Sequence, residues 1–221
     1  KGLGKAKYIL KPGGTLGDLY TNSDLVYNDD GYIEVDKNGN VAVKDDYMDD
    51  IYLGSVFPKY NLAWRNDFNY KGINLGVLFK ARIGGICYSA TQANMDLYGV
   101  SEASAAARDA GGVMINGRDM IDAQKWYQVI GSQSGLPQYY TYSATNVRLQ
   151  ELSLGYTLPS KWFRDKMRMT VSFVGRNLWM IYCKAPFDPE AVASTGMNYQ
   201  GIDYFMMPSM RNLGFNVKFQ F

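Results

Sequence analysis

The sequence contains no histidine among its 221 residues and only two cysteines, Cys87 and Cys183. Without histidine, Ser-His-Asp and Cys-His catalysis and imidazole-based zinc sites are excluded. Two cysteines cannot form a disulfide framework, which leaves one bridge or two unpaired thiols as alternatives. Asp188 and Glu190 offer two carboxylates, but the proline between them is typical of a loop fixed in shape. We therefore expect no enzyme, no catalytic residue, no metal site and no cofactor.

Long hydrophobic runs are also absent. No stretch of about eighteen apolar residues occurs, so a membrane-spanning helix is excluded and any membrane contact must be made by strands. The 23 basic and 21 acidic residues give a net charge of +2 without a basic cluster, so nucleic-acid binding is not expected. Eighteen tyrosines and 23 glycines, against seven prolines, favour many strands and tight turns.

The first residues, KGLGK, lack the apolar core of a signal peptide. The chain is therefore either cytosolic or a piece of a longer precursor whose targeting sequence lay upstream. The membrane-like strands described next favour the second alternative.

The last eleven residues show the clearest strand pattern. Polar residues alternate there with an apolar set, which is Leu213, Phe215, Val217, Phe219 and Phe221. Because the side chains of a strand point alternately to opposite faces, one face is wholly apolar. A tilted strand of this length covers roughly 27 Å, close to the apolar band of an outer-membrane barrel. A half-buried strand of a soluble sandwich shows the same alternation and is the alternative.

Four further stretches repeat this alternation, at 60–70, 73–83, 147–158 and 167–180. Lys71 and Gly72 form a minimal turn between the first two, which predicts a long hairpin. In the third stretch the apolar positions change parity, which predicts a bulge near Gln150 and Glu151.

The connections between these strands differ in length. Long segments at 84–145 and 184–209 alternate with short turns, as extracellular loops alternate with periplasmic turns in a membrane barrel. The chain then ends on the periplasmic side. Aromatic residues collect at both ends of the strands, as they do at membrane interfaces. The expected inner belt is Tyr70, Tyr156, Trp162, Phe163 and Phe221, and the outer belt is Tyr60, Trp179 and Tyr182.

The remaining segments carry weaker signals. A short strand is expected at 5–11, and 84–145 reads as one large loop without regular structure except for a short helix at 101–109. A polar hairpin outside any membrane is expected at 32–43, turning at 37–40.

Acidic residues crowd this hairpin and raise the question of calcium binding: Asp29, Asp30, Asp36, Asp45, Asp46, Asp49 and Asp50. Asp36, Asn38 and Asn40 have the alternate spacing of a calcium loop. Val41 and Tyr47, however, stand where such a loop needs Gly and Glu. A solvated hairpin is the favoured interpretation.

An ordered set of short motifs resembles the C-terminal barrel of SusC-like (SusC/RagA family) TonB-dependent outer-membrane transporters. The motifs are 54–60 (GSVFPKY), 84–85 (GG), 152–159 (LSLGYTLP), 175–182 (GRNLWMIY), 185–190 (APFDPE) and 201–209 (GIDYFMMPS). The likeness covers most of the chain from about residue 16 onward.

The resemblance implies an all-β fold and an outer-membrane location. The whole protein would be a 22-stranded antiparallel barrel with a plug and a TonB-contacting segment, capped by a SusD-like surface lipoprotein, and would import oligosaccharides or peptides. Residues 1–221 would supply about the last six strands with long extracellular loops, without plug, TonB box or signal. The expected partners are therefore the SusD-like lipoprotein, the remaining barrel and plug, TonB through the missing part, and outer-membrane lipid.

Candidate substrate contacts are aromatic residues of the long loop, because aromatic faces stack on sugar rings and tyrosine hydroxyls form hydrogen bonds. They are Trp126, Tyr127, Tyr139, Tyr140 and Tyr142. The alternative is that these residues only pack the loop. Arg168 and Arg176 share the polar parity and are expected to face the lumen, where they touch the plug or an anionic substrate or simply line a wet interior.

Two other functions are compatible with the same strands. One is a different outer-membrane barrel, such as an adhesin or an autotransporter translocator. The other is a soluble carbohydrate-binding β-sandwich, in which the apolar faces of two sheets pack together. A chain that folds as a monomer without detergent would exclude both membrane interpretations.

Overall fold

The computed structural model describes residues 2–44, 50–164, 166–194, 196 and 199–220. The chain forms two compact units. The connecting unit consists of Lys1–Phe57, Gly85–Ser143 and Ala191–Met206, and the sheet unit consists of Pro58–Gly84, Ala144–Glu190 and Met207–Phe221.

Strands are the main regular structure of both units. In chain order they are β1 (Gly2–Leu3), β2 (Ala6–Tyr8), β3 (Asp18–Thr21), β4 (Asp24–Leu25), β5 (Val43–Lys44), β6 (Ile51–Ser55), β7 (Tyr60–Tyr70), β8 (Ile73–Ile83), β9 (Ile86–Ser89), β10 (Val113–Ile115), β11 (Asp119–Ile121), β12 (Thr141–Ser143), β13 (Asn146–Thr157), β14 (Arg168–Cys183), β15 (Ile202–Asp203) and β16 (Asn212–Gln220). The helices are α1 (Ala90–Leu97), α2 (Glu102–Asp109) and α3 (Ala123–Gly131), with 3₁₀ turns at Pro137–Tyr140 and Ser160–Phe163. None of the helices among the described residues is long and apolar enough to cross a membrane.

The sheet unit is one antiparallel sheet of five long strands in the order β16-β14-β13-β8-β7. All five strands were expected from the alternation of the sequence. The sheet has one strand fewer than the six or so expected, and the stretch 5–11 forms only the short β2 of the connecting unit. The all-β, antiparallel prediction is confirmed.

Register places the apolar residues of all five strands on one face. Directly paired positions form rows across the sheet, one of which is Phe68, Leu75, Leu154, Phe173 and Phe215. The next row lies on the opposite face and is Asn69, Asn74, Gly155, Ser172 and Asn216. The side-chain period of two thus runs in phase across the whole sheet.

The bulge predicted in β13 is confirmed. The register shifts between Leu149 and Glu151 against both neighbouring strands. Against β8, Gln150 is the extra residue, whereas against β14 it stands opposite two residues, Asn177 and Leu178. As a result Leu149 pairs with Phe79, and Leu152 pairs with Val77. The bulge therefore brings the apolar residues before and after it to the same face.

The short and long connections lie at opposite ends of the sheet. Lys71 (φ 47°) and Gly72 (φ 87°) both have left-handed backbone angles, which gives the mirror-image turn that suits a hairpin. This turn and the segment between β13 and β14 join the strands at one end, where Tyr70, Ile73 and Tyr156 pair. The long segments leave from the other end. The predicted asymmetry of the connections is confirmed.

The connecting unit contradicts the expectation of an irregular loop at 84–145. The predicted helix at 101–109 is present as α2, with Ser101 capping its N-terminus. The same span also contains α1 and α3, and it builds a hydrophobic core with distant parts of the chain. The fully buried members of that core include Leu19, Leu25, Leu136 and Ile202.

The hairpin expected at 32–43 is partly confirmed. Val35 bridges Val41, and the turn between them contains Gly39 with a left-handed backbone (φ 75°). One side of this hairpin is not solvated, however, since Val41 is buried and Ile33 and Val35 pack against the core. The alternation of Ile33, Val35 and Val41 gives one face that is apolar and covered.

Candidate functional site

The apolar face of the sheet is uncovered. Phe215 is 81% exposed and Trp64 is 62% exposed, although burying either would be strongly favourable. Soluble monomers rarely expose a contiguous apolar surface of this extent, and such a surface marks contact with a partner or a membrane. A soluble sandwich would cover this face with a second sheet, which is not what the exposed side chains show.

Aromatic residues occupy both ends of the apolar face. At the short-turn end, the structure brings Tyr70 and Tyr156 next to Ile73, and Trp162 and Phe163 lie in the 3₁₀ turn that follows β13. At the other end, Tyr60 begins β7 and Tyr182 pairs with Val147. Trp179 lies farther in, in the row of Trp64, Phe79 and Leu149. Phe221, expected in the inner belt, lies outside the described residues.

The polar face of the sheet carries a series of connected ion pairs. Arg65 forms ion pairs with Asp67 (2.8 Å) and with Glu151 (3.6 Å), and Arg176 pairs with Glu151 at 2.9 Å. Arg168 is on the same face, where it pairs in register with Gln220. Both arginines therefore lie on the side expected to be hydrated, and their contact with a plug or substrate stays a prediction.

A buried ion-pair network lies on this polar face near the long-connection end. The side chains of Arg148 and Asp188 are only 3% and 7% exposed, and their charged groups are 2.9 Å apart. Glu190 lies 3.6 Å from Arg148 and 3.0 Å from Lys80. Asn146 accepts a further hydrogen bond from Arg148 at 3.1 Å. The two carboxylates of the 185–190 motif are thus held by two cations.

Asp188 is kept ionised by its surroundings. Burial by itself would raise the pKa of Asp188, but hydrogen bonds from Arg148, from the Ser209 hydroxyl and from the Glu190 N–H outweigh it and hold the pKa below its ordinary value. This carboxylate therefore fixes the shape of a loop, as the sequence predicts. Sequence reasoning missed Arg148, whose polar parity in β13 was the available signal.

The five aromatic candidates lie in the connecting unit in different environments. Trp126 and Tyr140 are buried in its core, and Tyr127 packs against that core. Trp126 meets Tyr139 edge to face, with 5.8 Å between ring centroids. Tyr142 is half-buried, and Tyr139 is the most open of the five at 38%. Packing, the alternative left open by the sequence, accounts for Trp126 and Tyr140, and substrate contact by these residues stays a prediction.

The acidic hairpin holds its own turn. The Asp36 carboxylate accepts hydrogen bonds from the main-chain N–H of Asn40 (2.8 Å), from the side-chain amide of Asn40 (2.8 Å) and from the N–H of Asn38 (2.7 Å), and these bonds lower its pKa. Within the described ranges, no cluster of three or more acidic or cysteine side chains could hold a metal ion. Asp45, Asp46, Tyr47 and Asp49, which the calcium question also involved, lie outside those ranges. Cys87 and Cys183 are not joined by a disulfide.

Similarity to known proteins agrees with this geometry. Over 198 residues the chain is 25% identical to TonB-dependent receptor P3 of Formosa agariphila, a match that covers 85% of this chain and 19% of that protein. The chain therefore spans about a fifth of the curated relative. A comparison with protein-family models gives no match.

Solved structures of RagAB share the fold. The RagAB peptide importer in its closed-closed state gives a TM-score of 0.52 at 16% identity, covering 96% of this chain and 24% of that chain. The open-open state gives 0.54 at 14% identity, covering 96% and 23%, and a further RagAB peptide transporter structure gives 0.53 at 16%, covering 91% and 22%.

These relatives also support the expected outer-membrane location and the expectation that the chain is not an enzyme. The two-faced sheet, the sequence similarity and the shared fold agree on one assignment. They confirm the resemblance seen in the sequence: the chain is similar to part of a TonB-dependent receptor and shares its fold with part of the RagAB structures.

Proposed function

We propose that the chain forms part of the barrel wall of a TonB-dependent importer in the outer membrane. The observation that carries this proposal is the single five-stranded sheet with one apolar, uncovered face and one polar face that carries charged residues. In a membrane barrel the first face contacts lipid and the second borders the lumen. The expected lumen-facing residues are Arg168 and Arg176.

Residues 1–221 are proposed to be the C-terminal part of that barrel. The outer strands of the described sheet, β7 and β16, each leave one edge of N–H and C=O groups for another strand. Such an edge is too costly to expose to lipid, so the wall must be completed by other strands. The plug and the TonB-contacting segment are proposed to lie in the same remaining part of the transporter.

The cargo is proposed to be an oligosaccharide or a peptide, received with the help of a SusD-like surface lipoprotein. The similarity to RagAB, described as a peptide importer, supports the peptide alternative. Because this similarity is one of fold at 16% identity, the experiment includes both oligopeptides and oligosaccharides as cargo. A different outer-membrane barrel, such as an adhesin, would form the same kind of wall without energy-dependent uptake.

Uptake by cells tests this function. Cells that produce the full-length protein with its partner lipoprotein are expected to accumulate a labelled oligopeptide or oligosaccharide. Accumulation should stop when an uncoupler removes the energy supplied through TonB. Cells that lack the protein provide the control. Uptake that is insensitive to the uncoupler, or absent for both cargo classes, would contradict an importer.

Tyr139 is the aromatic candidate whose ring is best placed to meet cargo. We expect Tyr139→Ala to weaken cargo binding by the full-length protein by about tenfold, the typical effect of losing one stacking ring. Trp126→Ala serves as a contrast, since removal of a buried core ring should destabilise the protein by about 3–5 kcal/mol. Calorimetric titration and thermal unfolding separate the two effects. Unchanged affinity in Tyr139→Ala would remove Tyr139 from the site.

A further inference from the structure

The two short connections of the sheet lie side by side. The Thr157 N–H donates a hydrogen bond to the Gly72 carbonyl at 2.7 Å, so the turn that follows β7 contacts the end of β13. The Leu158 N–H donates to the Met169 carbonyl at 2.8 Å, at the base of the segment that joins β13 to β14. Both connections therefore present their residues at the same end of the sheet unit.

Positive charge is concentrated in these two connections. In the sequence, 70–73 and 157–168 contain five basic residues and one acidic residue, Asp165. All five basic residues are exposed. Within the described part of the chain no carboxylate forms an ion pair with them, whereas Arg65 and Arg176 of the same sheet are both paired. We call these five residues the basic cluster, and they are Lys71, Lys161, Arg164, Lys166 and Arg168. The charge of the cluster exceeds what Asp165 can neutralise.

Exposed aromatic rings accompany the basic cluster. Tyr70 is 67% exposed and Trp162 is 71% exposed. The Nζ atom of Lys71 lies 5.2 Å from the centroid of the Tyr70 ring, an attractive contact between a cation and an aromatic face. Because Tyr70 belongs to the apolar face, this contact holds a cation at the border of that face. Indole and phenol rings prefer the boundary between hydrocarbon and water.

The order of these groups along the strands matches the order of groups in a phospholipid. The last apolar row of the sheet contains Tyr70, Ile73 and Tyr156, and the basic connections follow it directly. In a phospholipid, acyl chains are likewise followed directly by a phosphate group. An acidic protein segment would match the charge of the basic cluster but would leave the apolar rows beside it uncovered.

We propose that the basic cluster binds the phosphate groups of anionic phospholipids. The acyl chains of these lipids contact the apolar face, and the lysine and arginine side chains donate charge-assisted hydrogen bonds to the phosphate oxygens. A zwitterionic phospholipid is attracted less strongly because its headgroup has no net charge. The inference rests on the proposed function, since it requires the sheet to lie in a membrane.

Native mass spectrometry of the full-length protein in a neutral detergent tests this site. The protein is titrated with dioleoylphosphatidylglycerol and, separately, with dioleoylphosphatidylcholine, which has the same acyl chains and no net charge. We expect the dissociation constant of the first bound phosphatidylglycerol to be at least about fivefold lower, the effect that one basic residue near an anionic surface can supply. This preference should decrease as the salt concentration rises.

Removal of charge from the basic cluster identifies the residues involved. In the triple variant Lys71→Gln, Lys161→Gln and Arg164→Gln, the preference for phosphatidylglycerol should fall below about twofold. The affinity for phosphatidylcholine should stay the same, because the apolar face is unchanged. All three residues are exposed, so thermal unfolding of this variant should match that of the wild type.

A second triple variant is the control for net charge. Lys7→Gln, Lys37→Gln and Arg118→Gln remove the same number of charges from exposed residues of the connecting unit. This variant should keep the full preference for phosphatidylglycerol. An equal loss of preference in both triple variants would overturn the inference, because it would show that net charge and not the basic cluster attracts the lipid.

The same titrations separate this inference from the proposed function. Equal affinity of the wild type for the two lipids would overturn the inference alone, since the protein would still bind lipid as a barrel wall does. A protein that binds neither lipid and stays folded without detergent would overturn the proposed function together with the inference.

Discussion

At the scale of single residues, the pair of Arg148 and Asp188 makes the strongest prediction. Asp188→Asn leaves the guanidinium of Arg148 buried without its nearest negative charge. We expect a loss of about 3 kcal/mol in the free energy of unfolding, the lower end for a broken buried pair, because Glu190 stays 3.6 Å away. Urea unfolding of the full-length protein in detergent micelles measures the difference.

The pH dependence of the same variant provides its control. Because the folded-state pKa of Asp188 lies below its ordinary value of 3.8, the stability that it contributes is present above that value and is lost as the pH falls through the folded-state pKa. Asp188→Asn should therefore reduce the acid sensitivity of stability, whereas Asp30→Asn, at an exposed carboxylate, should not. Identical acid profiles in Asp188→Asn and the wild type would contradict the assigned role.

Individual residues also show where sequence reasoning stops. The polar parity of Arg148 in its strand could be read locally, and so could the rigid context of Asp188. Their contact spans 40 positions of the chain and could not be read from either segment. Trp126 shows the same limit, because its place in a long connection does not reveal that its ring is buried in a core. Its contact with a substrate stays a prediction.

At the scale of elements, the bulge of β13 sets which face its first residues occupy. Deletion of Gln150 would shift 146–149 by one position and move Arg148 to the apolar face. Arginine on a lipid-facing position costs up to about 2–4 kcal/mol, and the deletion also breaks the contact with Asp188. We expect that the deletion variant of the full-length protein will no longer show the band of the folded form when samples are run on gels without heating. Heating a sample unfolds the protein and changes the position of that band.

The substitution Gln150→Ala is the matched control for this deletion. It keeps the number of residues in the strand, so register and faces should be preserved and the folded form should persist. If the deletion and the substitution gave equal amounts of folded protein, the bulge would not be what aligns the two halves of β13.

The strands and helices that could be predicted are those whose sequence pattern lies within the element itself. A period of two over eleven residues identified β7, β8 and β16, and a break in that period identified the bulge in β13. Helix α3 was missed, although Asp122 caps it and Trp126 and Ile130 have helical spacing, because a long segment without alternation was interpreted as a loop.

At the scale of the whole molecule, the two units differ in how much of them the sequence reveals. The sheet unit follows from repeated strands joined in sequence order. The core of the connecting unit contains Leu19, Leu136 and Ile202, which come from three distant segments of the chain. No local sequence pattern predicts that these segments pack together. A long connection with little alternation can therefore contain a folded unit.

The central claim is that one face of the sheet contacts hydrocarbon and the other contacts water. Spin labels introduced singly at positions 212–220 of the full-length protein, reconstituted in lipid vesicles, test it most directly. Collision with oxygen, which concentrates in lipid, should be high at 213, 215, 217 and 219, and collision with a water-soluble nickel complex should be high at 214, 216 and 218. An alternation of opposite phases is the result that we predict. Low accessibility to both reagents at 215 and 219 would mean that protein covers this face and would contradict the account.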